Sequence, residues 1–188
     1  LAELDRIGLA IDKDDPRVLR LLDEVKEREA IGYAYEAADA SFDLLARRLL
    51  GQLPHYFDVE KFDVNVELRS NGNGGPITVS HAVVKIKVGD EHLISVAEGI
   101  GPVNALDLAL RKDLGKYQSF ITGLELTDYR VRILNAGTQA VTRVLIESAD
   151  ETGDRWTTVG VSANIIDASF QALMDSIVYK LVKSGAPV

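Results

Sequence analysis

The chain has 188 residues, of which 46% are hydrophobic and 27% charged, and its formal net charge at pH 7 is −8. This length allows one globular domain of ordinary core size plus a helical appendage, but not two large domains. The acidic balance would repel a polyanion, and no Lys/Arg cluster interleaved with aromatic residues offsets it, so we expect no nucleic-acid partner. Zero cysteines exclude disulfides and cysteine-ligated zinc, and they agree with a cytoplasmic location.

No apolar run approaches the roughly 18 residues of a membrane-spanning helix, so we expect a soluble protein with no membrane partner. The start of the chain carries acidic residues where a signal peptide would be basic and then apolar. The first residue is Leu1 instead of Met. We therefore expect the chain to be a piece of a longer polypeptide, with a function that is part of the parent's.

The first 54 residues have helical periodicity. Asp15-Pro16 is a typical helix start, because the Asp15 carboxylate can cap free N–H groups and Pro16 has no N–H to lose. Apolar residues then recur at i, i+3, i+4 and i+7 and predict a helix to about Ala30. A second helix is predicted from about residue 37 to 50. Residues 1–54 are thus predicted to form a short helical linker subdomain.

Residues 55–188 are predicted to form a second domain in which one order of elements occurs twice. Alternating apolar and polar residues predict strands at 62–70, 77–88 and 92–97 with a helix at 101–115, then strands at 124–134, 141–146 and 156–161 with a helix at 165–182. The acidic turn Asp150 to Asp154 is predicted to be solvent-exposed. The fold class is therefore α+β, with two βββα repeats at about 60–117 and 124–184. Each repeat has one apolar sheet face and one apolar helix stripe, so we expect the two to pack together with pseudo-twofold symmetry.

Several chemical motifs can be set against simpler interpretations. The glycine-rich segment 70–76 lacks the lysine and Ser/Thr of a phosphate loop and leads into a strand, which favours a turn. The three histidines are too far apart for a metal site, so structural or solvent roles are favoured: His55, His81 and His92. Three carboxylates near element ends fit capping or solvation, with a ligand ammonium as the alternative: Asp107, Asp128 and Asp167. No catalytic residue and no metal ligand is predicted.

Binding is the chemistry that the sequence favours. The helix starts at 101–104 and 162–164 present free N–H groups at the positive end of a helix, which suits a carboxylate. Gly137, in the corner Asn135 to Thr138, can allow a ligand to come close. Apolar strand residues nearby suit an aliphatic side chain, although each could equally be core: Leu126, Tyr129, Ile133 and Val141.

Four segments carry a family resemblance. They are GYAYEAADASFDLLARR at 32–48, GPVNALDLALRKDL at 101–114, DYRVRIL-x-x-GT-x-AVTRVLIES at 128–148 and TVGVSANIIDASFQAL at 158–173. They resemble the C-terminal part of the 2-isopropylmalate synthase and citramalate synthase family, and the first looks closer to citramalate synthase. The resemblance covers nearly the whole chain.

The resemblance implies a regulatory role. In that family an N-terminal (β/α)8 barrel, absent here, condenses acetyl-CoA with a 2-oxo acid using a divalent metal. Linker helices join it to a regulatory domain of two βββα units, which dimerises and binds an end-product amino acid. This chain would be the last linker helices plus that whole domain, with no cofactor of its own. Its expected partners are a branched-chain amino acid, a second copy and the barrel of the same polypeptide.

Carried over residue by residue, the resemblance places the effector pocket around the GT-x-A corner, the strands beside it and the two helix starts, near the dimer interface. With the apolar strand residues included, the candidate effector-binding residues are Asn104, Ala105, Leu126, Tyr129, Ile133, Gly137, Thr138, Ala140, Val141, Thr142, Ser162, Asn164 and Ile165.

The main hypothesis is feedback inhibition of a citramalate synthase, with isoleucine favoured over leucine as the effector. Three alternatives remain open: a purely structural dimerisation module, the regulatory domain of a leucine-inhibited 2-isopropylmalate synthase, and a fragment that retains catalysis. The absence of a metal constellation in the sequence argues against the last of these.

Overall fold

Two antiparallel sheets of three strands, each followed by a helix, form the β-rich part of the chain. The computed structural model describes residues 2–9, 11–12, 14–70, 72, 74–135 and 140–188. Its elements are α1 (Ala2–Arg6), α2 (Pro16–Ala30), α3 (Asp39–Leu49), β1 (Asp58–Ser70), β2 (Pro76–Val88), β3 (Glu91–Gly99), α4 (Pro102–Lys112), β4 (Glu125–Ile133), β5 (Thr142–Ala149), β6 (Arg155–Ser162) and α5 (Ile165–Lys183). The strand orders are β1-β2-β3 and β4-β5-β6. The predicted α+β class with two βββα repeats is confirmed.

The chain divides into two compact units. The first contains residues 55–122 and 184–188, and the second contains residues 1–54 and 123–183. Along the chain the unit changes after residues 54, 122 and 183. The helices before residue 54 do not stand alone, because they belong to the same unit as the second sheet. The predicted linker subdomain and the predicted packing of one repeat on the other stay predictions.

In the first unit, α4 covers one face of the sheet β1-β2-β3. Every second residue of β2 points to that face, and Ala82, Val84 and Ile86 are at most 1% exposed. Leu106 and Leu110 of α4 are completely buried. The spacings of two along the strand and four along the helix place these side chains in one core. Burial of such a core is the main favourable term in the stability of this unit.

In the second unit, helices contact both faces of the sheet β4-β5-β6. On one face, Thr158 Oγ1 donates to the Ala172 carbonyl of α5 over 2.8 Å. On the other, Val159 is 1% exposed and lies in a core cluster with Leu21 and Leu45 of the preceding helices. Because neighbouring residues of a strand point to opposite faces, Thr158 and Val159 pack against different helices. This sheet is therefore a central layer.

Side chains accept hydrogen bonds from the backbone N–H groups on the edge of β6. The Thr157 N–H donates to Asp39 Oδ1 over 2.9 Å, and the Val159 N–H donates to Ser41 Oγ over 3.0 Å. The Val161 N–H donates to Gln171 Oε1 over 3.1 Å. An open edge strand offers unpaired backbone groups to other chains. These contacts with α3 and α5 close that edge.

The acidic turn between β5 and β6 corrects one prediction. Asp150 is only 8% exposed, although residues 151–154 are exposed as predicted. Its carboxylate lies 3.1 Å from Lys180 Nζ and 3.0 Å from Lys183 Nζ, both on α5. Burial by itself would raise the pKa of Asp150, but hydrogen bonds from Thr152, Lys183 and Lys180 outweigh it and hold the pKa well below its usual range. The first residue of the turn therefore holds the hairpin to the end of α5.

The element boundaries show what periodicity misses. β1 begins at Asp58, four residues before the predicted start, and α4 ends at Lys112 instead of residue 115. Helix α1 and the 3-10 helices at Tyr35–Ala37 and Gly115–Ile121 were not predicted. All three are one or two turns long, too short to show a periodic pattern. The predicted Asp15 cap is confirmed, since Asp15 Oδ1 accepts from the Arg17 N–H over 2.8 Å.

Candidate functional site

Three of the predicted effector residues form a row across the second sheet. Ile133 of β4 pairs with Thr142 of β5, which pairs with Ser162 of β6. Directly paired residues point to the same face, and here that face is the one that α5 covers. Ile133 is nevertheless 65% exposed, whereas Thr142 is 8% exposed. The row therefore combines a buried hydroxyl-bearing residue with an uncovered aliphatic side chain.

The start of α5 lies next to this row and is capped by its own side chains. Asn164 Oδ1 accepts from the N–H groups of Ile166 and Asp167 at 2.9 and 3.4 Å. Ser162 Oγ accepts from the Asn164 N–H over 3.1 Å. These contacts occupy donors that a ligand carboxylate would need. A carboxylate at this helix start would use the remaining Ile165 N–H or replace the Asn164 side chain.

Tyr129 is held by the fold. Its hydroxyl lies 2.8 Å from Ser169 Oγ on α5, and its ring is half-buried beside Ile146 in the register of β4 and β5. Leu126 is also half-buried on this face, opposite Ser148. Both residues thus contribute to the packing of α5 on the sheet, which favours the core interpretation for Tyr129.

The small-residue corner is described only at its two ends. Gly137 and Thr138, two of the predicted effector residues, lie outside the described residues. At the ends, the Val141 N–H donates to Asn135 Oδ1 over 2.7 Å, and the Leu134 N–H donates to the Val141 carbonyl over 2.9 Å. Ala140 is half-buried. The strands thus enter the corner as a closed hairpin.

The remaining predicted residues, Asn104 and Ala105, belong to the first unit. They lie in the first turn of α4, whose cap residue Gly101 provides no side-chain hydrogen bond. Asn104 Oδ1 accepts instead from the Ile100 N–H over 3.2 Å. A Cβ added to Gly99 would lie 2.5 Å from the Ala105 nitrogen, so the glycine allows α4 to start directly on β3.

One residue of this region was missed by the sequence analysis. Ser80 of β2 is 1% exposed, and its Oγ has no hydrogen-bond partner among the described residues. It pairs with Gly99 and with Val66, so Val66, Ser80 and Gly99 form a row beside the start of α4. Ser80 continues the alternation of Ala82, Val84 and Ile86 along β2, and that period of two was the signal that could have led to it. A buried hydroxyl without a partner is rare and marks a place where a polar group can bind.

The same end of each unit also carries exposed aliphatic residues. On the helix-facing side of the first sheet, Val66 and Leu68 are 53% and 70% exposed. On the helix-facing side of the second, Val131 and Ile133 are 42% and 65% exposed. Side chains of this size normally lie inside a fold, and clusters of them outside mark binding surfaces. We call these residues, with the neighbouring helix starts, the helix-start surfaces.

The other candidate residues have local partners. Asp107 is buried and accepts from Arg111 Nε over 2.8 Å, Asp128 accepts from the Tyr129 N–H, and Asp167 accepts from Gln171 Nε2. The three histidines each lie within 4 Å of a carboxylate: Asp58 for His55, Glu67 and Glu98 for His81, and Glu60 for His92. In the part of the chain that the structure describes, no group of three or more His, Cys, Asp or Glu could hold a metal ion.

None of the helices built from described residues is both long and apolar enough to cross a bilayer. Two cavities of the described structure lie apart from the predicted effector residues. One of about 670 Å³ lies beside Val25 and Phe42, and one of about 340 Å³ lies beside Ser41 and Asp175. Both are in the second unit, next to the helices that precede the sheet.

Comparisons with known proteins agree on the family to which the chain is similar. The family model described as LeuA allosteric (dimerisation) domain matches residues 36–181. Across 98% of its length the chain is 47% identical to an (R)-citramalate synthase of Geobacter sulfurreducens, and across 96% it is 45% identical to one of Synechocystis. Identity to a 2-isopropylmalate synthase of Methanocaldococcus jannaschii is 28% across 94% of the chain. The chain covers 34%, 33% and 32% of these proteins, about a third of their length.

Proposed function

Because this chain belongs to the LeuA allosteric (dimerisation) domain family, we propose that it is the regulatory domain of a citramalate synthase. In this proposal it binds a branched-chain amino acid, isoleucine in preference to leucine, and inhibits the enzyme when that end product accumulates. Higher identity to citramalate synthases than to the 2-isopropylmalate synthase supports the choice of enzyme. The condensation itself, with acetyl-CoA and a divalent metal, is assigned to a barrel in the rest of the parent polypeptide.

The helix-start surfaces are the observation that carries this proposal. Each offers uncovered aliphatic side chains beside a helix N-terminus. The aliphatic side chains suit the side chain of an aliphatic amino acid, and the helix N-terminus suits its carboxylate. At α4 the cap residue Gly101 provides no side-chain hydrogen bond, and the Ser80 hydroxyl has no partner in the part of the chain that the structure describes. A ligand there would satisfy groups that the fold leaves open.

The expected binding free energies limit how well the site can distinguish isoleucine from leucine. Burial of an aliphatic side chain contributes about 1.5–3 kcal/mol. Leucine and isoleucine differ in the position of one methyl group, which discriminates by about 1–3 kcal/mol at most. We therefore expect isoleucine to bind more tightly than leucine, with leucine still binding. To inhibit, the ligand must bind one arrangement of the parent enzyme better than another, and such coupling is typically about 1–3 kcal/mol.

Self-association is part of the proposal. The family description includes dimerisation, and the exposed aliphatic residues of the helix-start surfaces are also suitable for an interface between two copies. A purely structural dimerisation module would use the same residues without a ligand. One measurement separates the two possibilities, because only the regulatory domain binds an amino acid and so gives a heat of binding in calorimetry.

Titration calorimetry with isoleucine, leucine and valine tests the proposal, with sedimentation to follow association. We expect isoleucine to bind most tightly and Ile133→Gln to weaken its binding at least about tenfold, equal to about 1.4 kcal/mol of lost apolar contact. Ile94→Gln is the matched control, because Ile94 is 67% exposed on the face of the first sheet away from α4. Absence of heat with all three amino acids would leave only the structural module.

A further inference from the structure

A cleft that shares no lining residue with the helix-start surfaces lies entirely within the second unit. Its volume is about 340 Å³, and its walls are the segment between α2 and α3, the helix α3 itself, and the first half of α5. We call it the arginine cleft, after Arg28 and Arg48 on its rim. None of the predicted effector residues lines it. Volumes of about 300–1,000 Å³ are typical of small-molecule sites.

Hydrogen bonds hold the walls in place. The Tyr33 hydroxyl donates to Gln171 Oε1 over 2.7 Å. Gln171 also accepts from the Val161 N–H over 3.1 Å and donates to the Val161 carbonyl over 3.2 Å, so its amide pairs with β6 like an extra strand residue. The rings of Tyr33 and Tyr35 stack with centroids 5.7 Å apart. Since these groups are already ordered, a ligand would bind with little loss of side-chain entropy.

The acceptor inside the cleft is a carboxylate. Ser41 Oγ accepts from the Val159 N–H over 3.0 Å and donates to Asp175 Oδ2 over 2.7 Å. The hydroxyl proton is therefore committed to Asp175. No ion pair joins this carboxylate to Arg28 or Arg48, although all three residues line the cleft. Asp175 can accept a further hydrogen bond from a ligand ammonium or hydroxyl.

Two guanidinium groups face this one carboxylate, in a chain whose formal net charge is −8. Arg28 pairs with Glu24 over 2.5 Å and lies 5.6 Å from the centre of the Tyr33 ring. Arg48 is exposed, and its side chain has neither an ion pair nor a hydrogen bond among the described residues. An unpaired arginine at the mouth of a cleft is well suited to a carboxylate, which it can bind through two parallel hydrogen bonds.

The apolar lining comes from three elements. Leu45 of α3 and Val159 of β6 are 3% and 1% exposed at the base of the cleft. Phe170 and Met174 of α5 are half-buried along its side. A short aliphatic body would lose its contact with water there, while both of its polar groups face charged partners.

From this arrangement we propose that the arginine cleft binds a small α-amino or α-hydroxy carboxylic acid with a short aliphatic chain. Arg48 takes the carboxylate, Asp175 accepts from the α-ammonium or α-hydroxyl group, and the chain lies on Leu45, Phe170 and Met174. The site is distinct from the helix-start surfaces and does not depend on the function proposed for them.

Three probes of equal size separate the parts of the proposal: valine, 2-hydroxyisovalerate and isovalerate, which lacks the α-donor. They are titrated into the whole 188-residue chain carrying Ile133→Gln, followed by NMR shifts of the Gln171 side-chain amide and the Ser41 backbone. We expect saturable shifts with valine or 2-hydroxyisovalerate below about 10 mM, and binding of isovalerate weaker by about tenfold or more. The stronger of the first two identifies the ligand as an amino or a hydroxy acid.

Two variants locate the contacts. Arg48→Gln should weaken all three probes about tenfold or more, whereas Arg20→Gln, an exposed arginine of α2, should change none of them. Asp175→Asn should weaken valine and leave isovalerate unchanged. The proposal is overturned if neither α-substituted acid gives saturable shifts at these nuclei, or if Arg48→Gln leaves the affinities unchanged. Loss of isoleucine binding at the helix-start surfaces bears on the proposed function alone, since Ile133 is already replaced here.

Discussion

At the residue scale, Asp175 is a carboxylate whose position costs stability. Burial raises the pKa of Asp175 from 3.8 to about 6, against the hydrogen bond from Ser41 and the attraction of Arg48 and Arg28. The folded protein therefore holds this proton more tightly than the unfolded chain. One unit of pKa is about 1.4 kcal/mol, so ionisation of Asp175 lowers the stability of the folded state by about 3 kcal/mol.

The pH dependence of unfolding should show this group. The stability that protonated Asp175 gives the folded state is fully present below about pH 4, and it is lost as the pH rises through about 6 and the carboxyl ionises. Asn imitates the neutral acid, so Asp175→Asn should increase the free energy of unfolding by up to about 3 kcal/mol at pH 8 and change it little near pH 4. Urea denaturation from pH 4 to 8 measures the difference. Asp23→Asn, at an exposed position of α2, serves as control, and an equal effect of Asp175→Asn at both pH values would contradict the assignment.

Asp150 has the opposite character, because its charge is paired inside the fold. The side chains of Asp150 and Lys180 are 2% and 5% exposed and their charged atoms are 3.1 Å apart. Asp150→Asn would leave the Lys180 ammonium buried, with the exposed Glu151 carboxylate as its remaining ion-pair partner. We expect a loss of about 3 kcal/mol in the free energy of unfolding at pH 7.

The control for this prediction comes from the same network. Asp154 pairs with Lys183, and its side chain is 63% exposed. Asp154→Asn should therefore cost less than about 1 kcal/mol, as surface ion pairs do. Equal losses for the two variants in urea unfolding would show that burial of the Asp150 pair has no energetic effect.

At the element scale, the contact between β6 and α5 depends on the absence of a side chain. A Cβ at Gly160 would lie 1.9 Å from the Ala168 carbonyl oxygen and 2.8 Å from its carbon. Both atoms are backbone, so neither can rotate away. Gly160→Ala must separate the helix from the strand along their whole contact.

We expect Gly160→Ala to reduce the free energy of unfolding by about 3 kcal/mol, at the upper end of the cost of overpacking. Gly75→Ala is the matched control, because nothing lies within 4 Å of a Cβ there and its φ is not positive. It should change stability by less than about 0.5 kcal/mol. Thermal unfolding of both variants makes the comparison, and a Gly160→Ala protein as stable as the parent would refute the close contact.

At the scale of the whole molecule, the two repeats share a topology but differ in their surroundings. The second sheet is covered by α5 on one side and by the preceding helices on the other, and the arginine cleft forms among those helices, β6 and α5. The residues that line the cleft come from 28–48 and 159–175. The cleft is thus built from segments more than a hundred residues apart, and all of its lining residues belong to the unit of the second repeat.

The sequence by itself determined the order of the longer helices and strands, the two βββα repeats and the family. Period-two and period-3.6 patterns indicate which side of each strand and helix is apolar. Asp15 indicates a helix start because its side chain contacts the backbone only two residues away. Such information is local, and so it predicts elements well. It also placed Ile133, Thr142 and Ser162 in one candidate set, and these three residues lie in one row of the sheet register.

Only the tertiary structure decided which partner each side chain meets. The acidic turn was predicted to be exposed because its composition is polar, yet Asp150 is buried by a lysine 30 residues later in the chain. The packing of distant segments leaves the Ser80 hydroxyl without a partner among the residues described, and it places Asp175 in a cleft with Arg48. Periodicity indicates that a face will be covered, but the covering element and the polar groups that it brings follow from long-range packing.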